Sequence, residues 1–279
     1  MATAMLVDVS RCIGCRACQV ACKEWNLRHA ERTQNQGSYE NPPDLSAQTW
    51  TRVAFIEEAV GDEVKWQFRR VLCQHCTDAA CEQVCPPKAI SHRLSTAVVI
   101  DAEKCTGCKY CISACPFDVP RYNAQTNTVE KCTLCVDRIS NGQIPACAKV
   151  CAPEAVMFGE RSIMVAIAKM RLSKLKEQGF KDAGLYGEKE LGGLGVMFLL
   201  TSSPLFYGFP EKPTVPLSVN IWQDVFKPMI AVAGGGAGLA ALVSLLGSTG
   251  YKGSQRGQGS QRSQGDEGSR GDKGKKQSE

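Results

Sequence analysis

Residues 105–116, CTGCKYCISACP, place four cysteines and a final proline in one short stretch of the chain. The spacing is C-x2-C-x2-C-x3-C-P, with the thiols at Cys105, Cys108, Cys111 and Cys115. Three cysteines separated by two residues on a tight loop can hold three corners of one iron–sulfur cube, and the fourth then binds a second cube. The stretch therefore predicts a fold built around pairs of [4Fe–4S] clusters.

The same arrangement recurs along the chain, whose 16 cysteines all lie between residues 12 and 151 in four groups of four. The last gap is three residues in every group; groups one and three share the 2-2-3 spacing, group two has 2-4-3 and group four has 2-11-3. Because no cysteine is left over, the thiolates predict four [4Fe–4S] clusters with four ligands each. The groups are Cys12, Cys15, Cys18 and Cys22; Cys73, Cys76, Cys81 and Cys85; Cys105, Cys108, Cys111 and Cys115; and Cys132, Cys135, Cys147 and Cys151.

Zinc and disulfides are the alternative uses of these cysteines. Structural zinc sites take two C-x2-C pairs with a long spacer, and only group four resembles half of one, because groups one and three are too crowded for a tetrahedral ion. Cysteines three residues apart on one loop are also poor disulfide partners. The N-terminal MATAMLVDVSRC contains no apolar signal segment, so we expect no export signal on this chain.

The segments between the groups predict small sheets. Thr51–Val60 and Val64–Val71 flank Gly61-Asp62 as a β hairpin, and Ala97–Asp101 is a strand leading into group three. The wide gap in group four requires its loop to bulge before it returns. Over residues 1–160 we therefore expect an α+β domain of two ferredoxin-like units, each with two [4Fe–4S] clusters, small β hairpins and short helices.

The segment 161–227 has no cysteine and a different character. Ser162–Gln178 has apolar residues at helical spacing and lysines near its end, which predicts an amphipathic surface helix. Gly184–Pro216 is rich in glycine, proline and aromatic residues, and we expect an extended docking arm there rather than a folded unit.

The stretch Met229–Leu246 is 18 residues without a charge and begins after Pro228. It predicts a transmembrane helix over residues 228–247 that anchors the chain in a lipid bilayer. A buried helix of a soluble domain is the alternative, but the polar sequence that follows leaves nothing to bury it. Gly234 and Gly238 form a small-xxx-small face suited to packing on another membrane helix.

The segment 248–279 is polar and of low complexity, so we expect a disordered tail. It holds seven Lys and Arg residues against four acidic ones, which by the positive-inside rule places the tail in the cytoplasm and the cluster domain on the outer, periplasmic face. Since clusters are assembled before export, we expect the chain to be carried out with a signal-bearing partner.

No substrate site is visible. The sequence has neither a Rossmann glycine fingerprint nor a P-loop, and none of its three histidines lies in the predicted membrane segment, where they could bind haem. The formal charge of +5 does not call for nucleic acid. We therefore expect a non-catalytic, membrane-anchored electron-transfer subunit.

Several polar residues lie beside the cysteines. His75 lies inside group two, whose sulfur ligands are already complete, so we expect it either to lie beside a cluster without binding iron or to have no role there. Lys104, Lys109, Lys131 and Arg138 either tune cluster potentials by offsetting cluster charge or are simply solvated.

The four groups over residues 1–160 resemble the iron–sulfur subunits of the molybdopterin oxidoreductases. AGLYGEKELGGLGVMFLL, LFYGFPEKP and a terminal membrane segment look like the beta subunit of respiratory formate dehydrogenase, so the resemblance extends to about residue 250. It implies crossed ligand sets in which each cluster takes three cysteines of one group and one of another. Carried over, these are cluster 1, Cys12, Cys15, Cys18 and Cys151; cluster 2, Cys73, Cys76, Cys81 and Cys115; cluster 3, Cys105, Cys108, Cys111 and Cys85; and cluster 4, Cys132, Cys135, Cys147 and Cys22.

The resemblance also implies partners. Electrons from formate oxidation at a Mo or W bis-pterin centre of a catalytic alpha subunit arrive at cluster 1, pass to clusters 4 and 2, and leave from cluster 3. The acceptor is a membrane cytochrome b gamma subunit, packed on the face of Gly234 and Gly238, and finally quinone. The alternatives are the same role in a complex acting on a sulfur compound, an N-oxide or nitrate, and a free-standing carrier or zinc scaffold.

Overall fold

The computed structural model describes residues 2–94, 96–217 and 219. Ten strands and six helices are present in this part of the chain, together with short 3-10 turns at Val9–Arg11 and Glu190–Gly192. The strands are β1 Thr3–Asp8, β2 Arg52–Val60, β3 Glu63–Val71, β4 Ile90–Arg93, β5 Ala97–Ile100, β6 Arg121–Asn123, β7 Thr128–Glu130, β8 Val156–Glu160, β9 Gly184–Tyr186 and β10 Val196–Leu200. The helices are α1 Ala17–Trp25, α2 Ala80–Gln83, α3 Tyr110–Ala114, α4 Val136–Ser140, α5 Ala146–Lys149 and α6 Arg161–Glu177.

A four-stranded sheet of order β8-β1-β10-β9 joins the first residues of the chain to its later part. Strand β1 pairs with β8 in antiparallel and with β10 in parallel orientation. Alternate side chains of β10 face opposite sides of the sheet, so Phe198 packs in the core on the cysteine side and Leu199 packs under α6. All five residues of β10 are buried.

This sheet corrects the expectation of an extended arm over residues 184–216. Strands β9 and β10 belong to the central sheet, and the Glu190–Gly192 turn between them hydrogen-bonds to group two through Asp78 N and Leu191 O at 2.8 Å. The physical reason is that the apolar run VMFLL needs cover on both faces, which the cysteine domain and α6 provide. The segment is therefore part of the core.

Helix α6 confirms the predicted amphipathic helix, shifted by one residue at each end. Met164, Ala168 and Leu175 are buried against the sheet, and most of the other side chains are partly or fully exposed. Arg171 on the same helix donates from Nε to the fully buried carboxylate of Asp8 at 2.9 Å, which ties α6 to the end of β1. This contact lies directly before group one.

Three two-stranded hairpins complete the fold, β2-β3, β4-β5 and β6-β7. The first was predicted, and Gly61 in its turn has φ +63°, a conformation that glycine adopts without strain. The predicted strand at 97–101 is β5. Small hairpins and short helices thus confirm the expected α+β architecture of the cysteine domain.

The predicted transmembrane helix at 228–247, with Gly234 and Gly238, and the predicted tail at 248–279 lie outside the described residues. Within the described ranges, no helix combines the length and the apolar composition needed to cross a bilayer.

Candidate iron–sulfur cluster sites

The four cysteine groups share one backbone feature. The residue directly before the second cysteine of each group has a positive φ: Gly14 at +67°, His75 at +49°, Gly107 at +69° and Leu134 at +57°. This left-handed residue turns the chain so that successive cysteines face the same side of the loop. His75 and Leu134 hold the conformation without being glycine, which marks a backbone fixed by its surroundings.

Short helices follow these loops and carry the later cysteines. Cys18 and Cys22 lie one turn apart on α1, Cys111 on α3 and Cys147 on α5. After Cys85, Cys115 and Cys151 the chain makes the same tight turn, in which the residue three positions on has positive φ and donates its N–H to the cysteine carbonyl at 3.0 to 3.2 Å. Group one departs from this because α1 continues past Cys22 to Trp25.

One cavity brings together the four predicted ligands of cluster 2. It is lined by residues of groups two and three, together with Lys131. Three of its cysteines come from group two and one from group three, as the crossed arrangement requires. The cysteines in the lining are Cys73, Cys76, Cys81 and Cys115.

A second cavity brings together the four predicted ligands of cluster 4. It is lined by residues of groups four and one, together with Met5 and Arg70. Four thiolates around a shared space suit a [4Fe–4S] cube. The cysteines in the lining are Cys132, Cys135, Cys147 and Cys22.

For the predicted ligand sets of clusters 1 and 3, the evidence is which other cysteines affect the pKa of a thiol in the set. Burial raises the pKa of Cys12, the Gly14 N–H opposes this, and the charges of Cys18 and Cys151 raise it further. Burial likewise raises the pKa of Cys111 to about 12, followed by the charges of Cys105, Cys108 and Cys85. In each case the distant cysteine that the resemblance adds to the set acts on a thiol of the loop.

Burial keeps most of these thiols neutral in the protein alone. It raises the pKa of Cys22 to about 12 and that of Cys135 to about 11, in both cases more than any neighbouring charge does. Iron reverses this preference because a coordinated sulfur is held as thiolate. Cluster binding therefore releases protons and supplies folding free energy.

Hydrogen bonds to sulfur are also present. The N–H of His75 lies 3.5 Å from Cys73 Sγ, and the N–H of Leu134 lies 3.4 Å from Cys132 Sγ, so the left-handed residue donates to the first cysteine of its group. Val129 N–H donates to Cys105 Sγ at 3.4 Å. Such bonds stabilise negative charge on sulfur and raise the potential of an attached cluster.

Exposure distinguishes the four sets. Of the sixteen cysteines, all of which the structure describes, only Cys15 and Cys108 are exposed. They belong to the predicted sets of clusters 1 and 3. The predicted ligands of clusters 2 and 4 are all buried or intermediate, so those two sites lie deeper in the domain.

The basic residues singled out in the sequence have different surroundings. Lys104 is 61% exposed in its side chain and pairs with Asp101 at 3.2 Å, whereas Lys131 is buried. Arg138 lies over the ring of Trp25, and Lys109 lies over that of Tyr122. Arg70, which sequence reasoning missed, is almost completely buried beside the cluster 4 cysteines; its only signal is its place three residues before Cys73.

We expect Gly107→Ala to remove cluster 3. A Cβ at this position would lie 2.5 Å from the Asn127 backbone oxygen, and the backbone φ of +69° disfavours alanine as well. The group-three loop and the β6-β7 turn would have to move apart, which costs roughly 1–3 kcal/mol of stability. Iron analysis of the purified protein measures the loss. Gly37→Ala is the matched control, since it has φ +77° and nothing within 4 Å, and full iron in Gly107→Ala would contradict the expectation.

Comparison with known proteins gives a consistent result. Residues 64–161 match the family model described as a 4Fe-4S dicluster domain, and residues 3–24 match one described as a 4Fe-4S binding domain. The formate dehydrogenase iron-sulfur subunit of Haemophilus influenzae is 46% identical over 87% of this chain and 80% of that protein. The formate dehydrogenase-O iron-sulfur subunit of Escherichia coli is 43% identical over 82% and 78%.

A further relative, the formate dehydrogenase subunit beta of Megalodesulfovibrio gigas, is 37% identical over 74% of this chain and 97% of that protein. The four cysteine groups and the two lined cavities agree with these matches, since [4Fe–4S] clusters need such ligands. The chain therefore belongs to the family of formate dehydrogenase iron–sulfur subunits, the electron-transfer subunits of that enzyme.

Proposed function

We propose that this chain carries electrons from a formate-oxidising catalytic subunit with a Mo or W bis-pterin centre to a membrane cytochrome b subunit and quinone. The path runs through ligand sets 1, 4, 2 and 3 in that order. When bound, the clusters supply reversible one-electron chemistry; the protein holds them in sequence and insulates them from solvent.

The observation that carries the proposal is the linear succession of the cysteines. Cys18 of set 1 is an electrostatic neighbour of Cys147 of set 4. Cys132 of set 4 is a neighbour of Cys73 of set 2. Cys81 of set 2 is a neighbour of Cys111 of set 3.

The two ends of this succession are also the two exposed sites. Cys15 at one end and Cys108 at the other reach the surface, and Tyr110 beside Cys108 is 54% exposed. Electrons can therefore enter from one partner at set 1, cross the two interior sets and leave to another partner at set 3. This arrangement supports a protein that transfers electrons between two partners rather than one that stores them.

The membrane arrangement is part of the same proposal. The stretch 228–247 anchors the chain as a single membrane helix, with Gly234 and Gly238 against the cytochrome b subunit and the lipid bilayer around it. The cluster domain then lies on the periplasmic face and the tail at 248–279 in the cytoplasm. Export occurs together with a signal-bearing partner.

The test is purification of the native complex from membranes through a tag on this chain. We expect a large pterin-containing subunit to co-purify, with formate-dependent reduction of both an artificial dye and a quinone analogue. A pterin subunit without formate activity would contradict the assigned substrate. Recovery of this chain alone, with its clusters, would contradict the role as a fixed subunit.

A further inference from the structure

Arg70 and Lys131 are two buried cations that lack an acidic partner. Arg70 is 2% exposed, and Lys131 is 4% exposed. Arg70 donates to Thr51 Oγ1 at 3.1 Å and contacts Met5 Sδ at 3.3 Å, and its Nε has no acceptor. Lys131 Nζ donates to the carbonyls of Val98 and Cys132. Within the described ranges, no Asp or Glu forms an ion pair with either residue.

A buried charge without a counter-charge is costly, so each cation needs a negative group nearby. Sulfurs held as thiolates by iron would supply it. Cys147, Cys18 and Cys132 lie close enough to Arg70 to act on its charge. Cys73, Cys81 and Cys132 act on Lys131 in the same way.

The two cations are also placed inside the sites. Arg70 lines the cavity formed by the cluster 4 cysteines, and Lys131 lines the cavity formed by the cluster 2 cysteines. Both cations share Cys132 of the cluster 4 set as a neighbour. In the proposed order, these are the two interior positions of the path.

We propose that Arg70 and Lys131 set the reduction potentials of the interior clusters by holding positive charge beside them. A cluster gains negative charge when it accepts an electron, so a buried cation stabilises the reduced form more than the oxidised form. Both residues raise the reduction potential of cluster 4. Lys131 also raises that of cluster 2, and Arg70 raises that of cluster 1 to a smaller extent. The inference rests on the proposed ligand sets and electron path.

Lys104 provides a matched comparison for Lys131. Each lysine directly precedes the first cysteine of its group, Cys105 and Cys132 respectively. Lys104 is exposed, and water and Asp101 screen its charge. Lys131 is buried, so its charge acts on the neighbouring cluster with little screening. Removing the charge of Lys131 should therefore change a cluster potential, whereas removing the charge of Lys104 should change it little.

The experiment measures cluster potentials in the purified complex by redox titration followed by electron paramagnetic resonance, with chemical mediators and without formate. Lys131→Met and Arg70→Met should each lower the reduction potential of the neighbouring interior cluster. At a fixed applied potential, the ratio of oxidised to reduced cluster should rise by about tenfold or more, which corresponds to 59 mV for one electron. One signal should move in both variants, and we assign it to cluster 4. Lys131→Arg, Arg70→Lys and Lys104→Met should stay near the native potentials.

Unchanged potentials in both methionine variants would overturn the proposal. So would equal shifts in Lys131→Met and Lys131→Arg, because the effect would then follow shape rather than charge. If both methionine variants lose iron while the charge-conserving variants keep it, the cations serve assembly and not potential. Because formate is absent from the titration, failure here is distinct from failure of the formate assignment.

Discussion

Cys22→Ala should remove cluster 4 and leave cluster 1 in place, although Cys22 lies in the same sequence group as Cys12, Cys15 and Cys18. Its thiol lines the cavity of the group-four cysteines, and its largest charged neighbours are Cys147 and Cys135. Alanine offers no replacement ligand. Since loss of mere supporting contacts costs roughly 10–100-fold in metal affinity, loss of a ligand should cost at least ~100-fold.

The measurement compares the resonance signals that disappear in three alanine variants of the purified complex. Cys22→Ala and Cys147→Ala should lose the same signal and about a quarter of the iron, one cluster of four. Cys18→Ala is the matched control, because Cys18 is equally buried on the same helix one turn earlier and belongs to the predicted set of cluster 1. Loss of one common signal in Cys18→Ala and Cys22→Ala would show that ligation follows the sequence groups instead.

The effect of Cys22→Ala on electron flow follows from the position of cluster 4 in the proposed path. Cluster 4 lies between clusters 1 and 2 in the proposed path, so Cys22→Ala should stop quinone reduction while formate-dependent dye reduction at cluster 1 partly survives. The same separation is expected for every interior ligand. Unchanged quinone reduction after verified loss of the cluster 4 signal would refute the order.

Spacing alone predicted the three cysteines that each loop offers to one cube, because those three ligands are local; the fourth, distant ligand of each set came from the family resemblance. The positive φ before each second cysteine, in Gly14, His75, Gly107 and Leu134, shows how similar the loops are despite their different sequences. The 11-residue gap of group four was expected to bulge; it contains α4 and a following turn before Cys147.

Long-range structure was harder to predict. The run VMFLL of β10 lacks the polar alternation that identifies a strand with one solvent face, because α6 covers one side and the cysteine core the other. Arg69 and Arg70 are adjacent residues near the end of β3, and sequence reasoning singled out neither. In the fold, Arg69 stacks on Phe209, whereas Arg70 points into the core, a difference that depends on contacts distant in sequence.

Cys111→Ala should abolish quinone reduction and spare dye reduction more fully than any interior variant. Cys111 is 6% exposed, and its neighbours are Cys105, Cys108 and Cys85 of the predicted cluster 3 set. Without this ligand, the proposed path ends at cluster 2, behind the exposed surface at Cys108 and Tyr110. We expect quinone reduction to fall by at least ~100-fold, by the ligand-loss argument used for Cys22.

Ser113→Ala is the matched control for this variant. Ser113 lies on the same helix α3 and is exposed, and its hydroxyl donates to the Tyr110 carbonyl at 3.1 Å within that helix, so both activities should persist. Cys12→Ala, at the opposite end of the path, should lower dye and quinone reduction together. The direction of flow depends on this asymmetry: if Cys12→Ala spares the dye and Cys111→Ala abolishes both activities, then electrons arrive at cluster 3 and leave from cluster 1.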